Sequence, residues 1–323
     1  MAKRNWAGVS IAALMAGFAS PAMAVEGATS FYLPGSKTTM AGYLPPPGVY
    51  GVVQNYFYTG SANITFESGG VTVSGDINAD AYIAMPTALW VLDQEFLGGH
   101  LAFTVTQPIG YKQLNVDGSL TGPLGNSFGA NLERDNWAFG DTVFGTALGW
   151  HDGNLHYTLG TLLNIPIGQW DLGNPVNIGF NRWILDATGA VTYLNPESGI
   201  ELSGAAGFTF NFDENPDTNY KSGNEFHFEA AAMKHLSKTF SIGVNGYGLT
   251  QISGDSGSGA KLGAFEGQVF GIGPAMDYTF VIGQTPVMTN LRYFYEFGAE
   301  NRMEGHAGYF NVTIPLGGHG AAH

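Results

Sequence analysis

The sequence predicts an all-β chain: a transmembrane antiparallel up-and-down β-barrel of about 12 strands. Three observations carry that expectation. Apolar and polar residues alternate with period two over runs of roughly 9 to 15 residues, whereas strands of soluble proteins run about 5 to 6. Aromatic residues gather near the ends of those runs, as interfacial girdles do: Trp137, Trp150, Trp170 and Trp183, with Tyr50, Tyr58, Tyr193, Tyr247 and Tyr309. The chain also begins like an exported protein and holds no cysteine, so a closed sheet rather than disulfides must hold it together.

Lys3 and Arg4 form a charged n-region, Val9 to Ala19 a short apolar core, and Pro21-Ala22-Met23-Ala24 an Ala-x-Ala site. Residues 1–24 are therefore expected to be a signal peptide cleaved after Ala24. Beyond it no apolar run is long enough for a helical span. Mean hydropathy of +0.02 excludes a polytopic helical protein but suits strands with one polar face. Acidic residues outnumber basic ones, 26 to 12, which argues against nucleic acid as a partner.

Residues 25–48 form a Pro/Gly-rich segment. Pro34-Gly35 and Pro45-Pro46-Pro47-Gly48 forbid regular structure. Phe31, Tyr32, Tyr43 and Leu44 make it too apolar for a linker. It is expected either to fold into a barrel and constrict it, or to form a cap or tail. The barrel is expected over 49–316. Val49–Thr59 and Ile77–Leu92 open it, the latter with Ile77, Ala79, Ala81, Ile83 and Met85 on one parity. Leu101–Thr106 follows and ends at Pro108. Tyr111–Asp135 reads as a long polar loop, with Asp117-Gly118, Thr121-Gly122-Pro123 and Gly125-Asn126. Trp137–Trp150 and Leu155–Ile167 flank Asp152-Gly153, a strong hairpin signal. Asn181–Tyr193 and Ile200–Phe212 come next, then Phe226–His235 and Phe240–Gln251. Leu262–Phe280, Val287–Phe297 and Ala307–Leu316 complete the barrel, leaving a tail over 317–323.

The hairpin over Asn224–Gln251 poses the question of which face is inside. Phe226, Phe228, Ala230 and Ala232 share one parity, and Glu225, His227 and Glu229 the other. A sandwich in water would turn the phenylalanines inward. A membrane barrel turns them toward lipid and the charges toward a lumen, because bare charge in lipid is costly. On the same logic Arg292 and Glu296 point inward, opposite Leu291, Tyr293 and Tyr295. These five are the expected lumen-lining residues. They could filter solutes, or simply pair to hold the barrel in shape. Glu225, His227, Glu229 and His235 lack the spacing of a recognised metal-ligand set, so no metal and no cofactor is expected. No phosphate loop occurs, and no catalytic residue is assigned.

Several blocks resemble one family. They are Tyr32-Leu33-Pro34-Gly35, Leu44-Pro45-Pro46-Pro47-Gly48, Thr192-Tyr193-Leu194-Asn195-Pro196 and Thr218-Asn219-Tyr220-Lys221-Ser222-Gly223. Gly246-Tyr247 with Gln251 and Asp255 follows, then Gly271-Ile272-Gly273-Pro274, and Glu296-Phe297 with Asn301-Arg302-Met303-Glu304-Gly305. Their order resembles that of the outer-membrane proteins grouped under the meta-pathway of phenol degradation. The resemblance implies a non-enzymatic, transporter-like barrel associated with aromatic-compound catabolism. Its partners would be outer-membrane lipid and a small apolar or aromatic solute, taken up passively. One departure is the end of the last strand, Ile314-Pro315-Leu316, where many such barrels carry an aromatic residue. The alternatives are a secreted soluble β-sandwich that binds a ligand, and a structural or adhesive outer-membrane barrel.

Overall fold

The structure is a computed structural model that describes residues 24–68, 71–121, 126–261 and 263–317. The expected signal peptide, apart from Ala24, and the tail beyond Gly317 lie outside the described residues. Fourteen strands form one antiparallel sheet. They are β1 (Gly48–Ser68), β2 (Val71–Phe96), β3 (Gly99–Thr106), β4 (Ile109–Thr121), β5 (Ser127–Phe139), β6 (Thr142–Asp152) and β7 (Leu155–Ile165). The others are β8 (Ile184–Asn195), β9 (Ile200–Asn211), β10 (Glu225–His235), β11 (Phe240–Gln251), β12 (Gln268–Ile282), β13 (Thr285–Glu300) and β14 (Glu304–Gly317).

β2 pairs with β3 over Thr87–Phe96 and with β4 over Thr72–Ala84, so β3 and β4 are one strand interrupted at Gln107-Pro108. β5 and β6 are likewise one strand, broken at Gly140-Asp141, along β4 and β3. Fourteen segments therefore make a closed barrel of 12 strands. β1 closes it by pairing with both β2 and β14. Closure matters in lipid because an open edge would leave ladder groups without partners.

The expected polar loop at Tyr111–Asp135 is instead a ladder, with Asp117 opposite both Asp76 and Asn131. Only 122–126 turns. These residues read as loop because they extend the wall beyond the lipid band, where the outer face is polar: Asp76, Asn78, Asp80, Glu133 and Asp135 are exposed. The expected strand starts at Asn181 and Leu262 also move. The connections run to Trp183 and Gly267, and β8 and β12 begin after them.

Side chains follow the membrane orientation. Phe228 is 44% exposed on the outer face, and its neighbour His227 is 0% exposed on the inner one. Leu291, Tyr293 and Tyr295 are outward, and Arg292 and Glu296 inward. Two expectations need correction. Tyr50, Tyr58, Tyr247 and Tyr309 do not belong to a girdle but turn inside the ring. The outer girdle is built instead by Phe57, Tyr82, Tyr111 and Trp137, which touch one another. Along β2 the span from Tyr82 to the exposed Trp90 is about nine residues, the length of one tilted crossing. The second correction concerns β2 itself. Its apolar parity faces inward, with Ile77 and Ile83 buried. They pack against Leu114, Val116 and Val176, and against Tyr56 and Phe294. The lumen thus has one apolar wall, β1 to β4, and one charged wall, β8 to β13.

Five short turns lie at one end of the barrel: 97–98, 153–154, 196–199, 236–239 and 283–284. The long connections 166–183, 212–224 and 252–267 lie at the other. In outer-membrane barrels the short turns are periplasmic.

Candidate functional site

Residues 24–47 run through the inside of the ring from the long-loop end to the short-turn end. At the long-loop end the Ala24 amide donates to Asn301 O at 2.8 Å, and Glu26 pairs with Arg182 at 2.9 Å. At the other end Leu44 is buried with Tyr50, Val91 and Ala102. Tyr43 is 37% exposed and sits 5.0 to 5.2 Å from the rings of His156 and His151.

An irregular chain in a lumen needs partners for its own amides. The charged wall supplies them. Glu229 Oε1 accepts the Gly35 amide and Oε2 the Lys37 amide, both at 2.7 Å. Glu225 Oε1 accepts the Ser30 hydroxyl at 2.5 Å and lies 3.4 Å from Arg302 Nη1. Glu201 accepts the Met40 amide at 2.7 Å, and Thr192 Oγ1 accepts the Gly42 amide at 2.9 Å. From the opposite sense of charge, Arg292 Nη1 donates to Gly35 O at 2.6 Å and Ser36 O at 2.8 Å. Its guanidinium lies 4.8 Å from the centre of the Tyr309 ring, whose hydroxyl donates to Pro34 O.

Tyr32 stacks on His227, ring centroids 3.5 Å apart. His227 Nε2 donates to Asp186 Oδ2 at 2.8 Å, and Asp186 also accepts the hydroxyls of Thr188 and Thr209. Phe31 meets the edge of Phe180 at 6.0 Å. So Glu225, His227, Glu229 and Arg292 converge on the segment. Glu296 does not: it accepts the Tyr247 and Tyr58 hydroxyls and the Gly305 amide, tying the wall together. Among the described residues no three His, Asp or Glu side chains come together as metal ligands.

Residues absent from the sequence reading do much of the holding. Asp186 and Glu201 were legible, as lone charges on the inward parity of β8 and β9. Lys112 was not, because its stretch read as loop. Its ammonium donates to Thr29 Oγ1 and Asn177 O.

Between the segment and the apolar wall lies a cavity of about 280 Å³, lined by Phe31, Leu33, Ile83, Met85, Ile178 and Phe180 among others. A cavity of about 290 Å³ at the long-loop end shares Thr29, Lys112 and Phe180 with it. One of about 340 Å³ toward the short turns shares Ser36. The three follow one another along the segment.

Gly35 sits at a tight point, at φ +88°. A Cβ there would meet the Phe294 ring at 2.6 Å. Gly35→Ala is expected to weaken docking of the segment by roughly 1–3 kcal/mol, from strain and overlap together. Trypsin reads this out at Lys37: slow cleavage in the native barrel, faster in the variant. Equal rates would show that Gly35 is not a fixed point.

The sequence matches the family described as "Putative MetA-pathway of phenol degradation" over residues 62–312. No curated protein matches it. Among solved structures, an outer membrane channel from Pseudomonas putida F1 aligns at TM-score 0.60 and 14% identity, over 88% of this chain and 99% of that one. The CymD monoaromatic hydrocarbon channel aligns at 0.42 and 6%, over 84% and 90%. A FadL homologue from Pseudomonas aeruginosa aligns at 0.40 and 7%, over 86% and 91%. At these identities the likeness is one of fold.

Proposed function

From the phenol meta-pathway family, to which this chain belongs, and from the two-sided lumen, we propose an outer-membrane channel for passive uptake of small hydrophobic or aromatic compounds. The observation that carries this reading is the apolar wall. A pore for ions or sugars needs polar groups around its path. Here the charged wall is engaged with residues 24–47, and the central cavity borders Ile83, Met85, Leu33 and Phe31. Its volume of about 280 Å³ is ample for one aromatic ring, since an apolar cavity of about 150 Å³ takes up benzene. No binding group of high affinity is required, because flux needs sites weak enough to leave.

In this reading residues 25–48 act as a constriction inside the barrel, with Phe31, Tyr32, Tyr43 and Leu44 as its apolar parts. Glu225, His227, Glu229 and Arg292 act by holding it rather than by sorting solutes. In this reading the chain is exported through a cleaved signal peptide and the barrel then inserts in the outer membrane. Ile83→Trp, which fills the central cavity from the wall, is expected to cut uptake of a labelled monoaromatic compound by cells about tenfold, while the barrel still folds. Uptake equal to wild type would reject this cavity as the route.

A further inference from the structure

We propose that the barrel contains a built receptor for its own mature amino terminus: after cleavage behind Ala24, the new α-ammonium of Val25 pairs with the buried carboxylate of Asp255 and fixes the start of the lumen segment. Hydrolysis of the Ala24–Val25 peptide bond consumes one water. Ala24 leaves as a carboxylate, and Val25 keeps the nitrogen, protonated at neutral pH. The inference rests on export and cleavage, and not on what the barrel passes.

The geometry is already in place. Val25 N lies 3.0 Å from Asp255 Oδ2. Asp255 is 2% exposed and accepts three further neutral donors. They are the Tyr220 hydroxyl at 2.5 Å, the Gly223 amide at 2.9 Å and the Gln251 side-chain amide at 2.7 Å. Burial and the bond to Asp255 push the Tyr220 hydroxyl far above its ordinary range, so it serves as a neutral donor. Among the described residues no lysine, arginine or histidine forms an ion pair with Asp255. A carboxylate at this depth ordinarily has a cation.

The neighbouring charges do not supply one. Arg182 is taken by Glu26 and Arg302 faces Glu225. Lys221 meets the Asp255 loop only through its backbone, at Ser256. The cluster thus sets three carboxylates against two guanidiniums, and the ammonium of Val25 is the missing third cation.

The backbone makes an independent case. Val25 has φ +65° and ψ 135°, a left-handed φ that a β-branched residue rarely adopts. The conflict is between its side chain and the carbonyl of Ala24. Cutting that bond removes the carbonyl, and with it the strain. Both observations fit Val25 as a first residue better than as an internal one. Seating of the segment then depends on processing, because the uncut chain presents an uncharged amide to Asp255.

The test uses mature protein purified from outer membranes in detergent. Terminal sequencing should begin at Val25. An amine-acylating reagent at neutral pH, followed by mass analysis of the first peptide, reads the free amine. The native barrel should label about tenfold more slowly than the denatured chain, the effect of raising an amine by one pKa unit. Folded Asp255→Asn should lose most of that protection. A second variant, with a Gly-Ser pair inserted between Ala24 and Val25, keeps Asp255 but moves the amine away, and should label at the denatured rate. A mature chain starting elsewhere overturns the proposal. So does a native amine as reactive as in the insertion variant, or a folded Asp255→Asn barrel as protected as wild type. Solute uptake by cells making the same variants reports separately on the channel.

Discussion

Deleting residues 31–47 is expected to raise the ionic conductance of the barrel in planar bilayers by on the order of tenfold or more. A ring of 12 strands encloses more space than its own side chains fill, since barrels of about eight strands are already wide enough to pack solid. Here the difference is taken up by the segment. Its Gly35 and Lys37 amides are held by Glu229, its Met40 amide by Glu201 and its Gly42 amide by Thr192. With the segment gone, those groups line an open, wet and acidic channel, and cations should pass in preference to anions. The wild-type barrel should show small currents, because the central cavity on the path borders mainly apolar side chains. Equal conductance in the two proteins would mean that the loops 166–183, 212–224 and 252–267 close the barrel instead.

Arg292→Met is the point substitution with the largest expected effect. Arg292 is 3% exposed and clamps Gly35 and Ser36 from the side opposite Glu229. Removing it leaves two segment carbonyls without a donor and takes from the buried Glu229 its strongest cationic neighbour. Breaking such an arrangement costs roughly 3–5 kcal/mol. If all of it falls on docking of the segment, the undocked population rises about a hundredfold or more. Cleavage by trypsin at Lys37 is the measurement, since that bond is reached only when the segment leaves the wall. Adding Glu229→Gln should recover part of the loss, because a neutral amide no longer needs the guanidinium. Additive losses in the double variant would show that the two sites act separately.

Much of this fold was legible because the strand period is rigid. Wherever lipid lies on one side and the lumen on the other, alternation gives both strand and facing. Ile200–Phe212, Phe226–His235 and Val287–Phe297 follow that rule closely. It failed where its premise failed. Tyr111–Asp135 stands above the lipid band, with water outside, so its outer parity is polar and only the short inward alternation of Leu114 and Val116 marks it as strand. In β2 the lumen itself is apolar, so the parity of Ile77 and Ile83 gives strand but reverses the facing. Tyr247 and Tyr309 resemble girdle residues in sequence, yet they turn inward to reach Glu296 and the Pro34 carbonyl. Asp255 carries no periodic signal at all. It sits in the 252–267 connection and acquires its role only when the chain start is brought 230 positions along the sequence to meet it.

The most direct measurement is uptake of labelled solutes by cells with and without the protein, using a monoaromatic compound and a sugar of similar size. The protein is expected to speed entry of the aromatic compound and leave the sugar nearly unchanged, and deleting residues 31–47 is expected to extend the gain to the sugar. A correctly folded barrel that speeds neither, or speeds both equally with the segment intact, would contradict it.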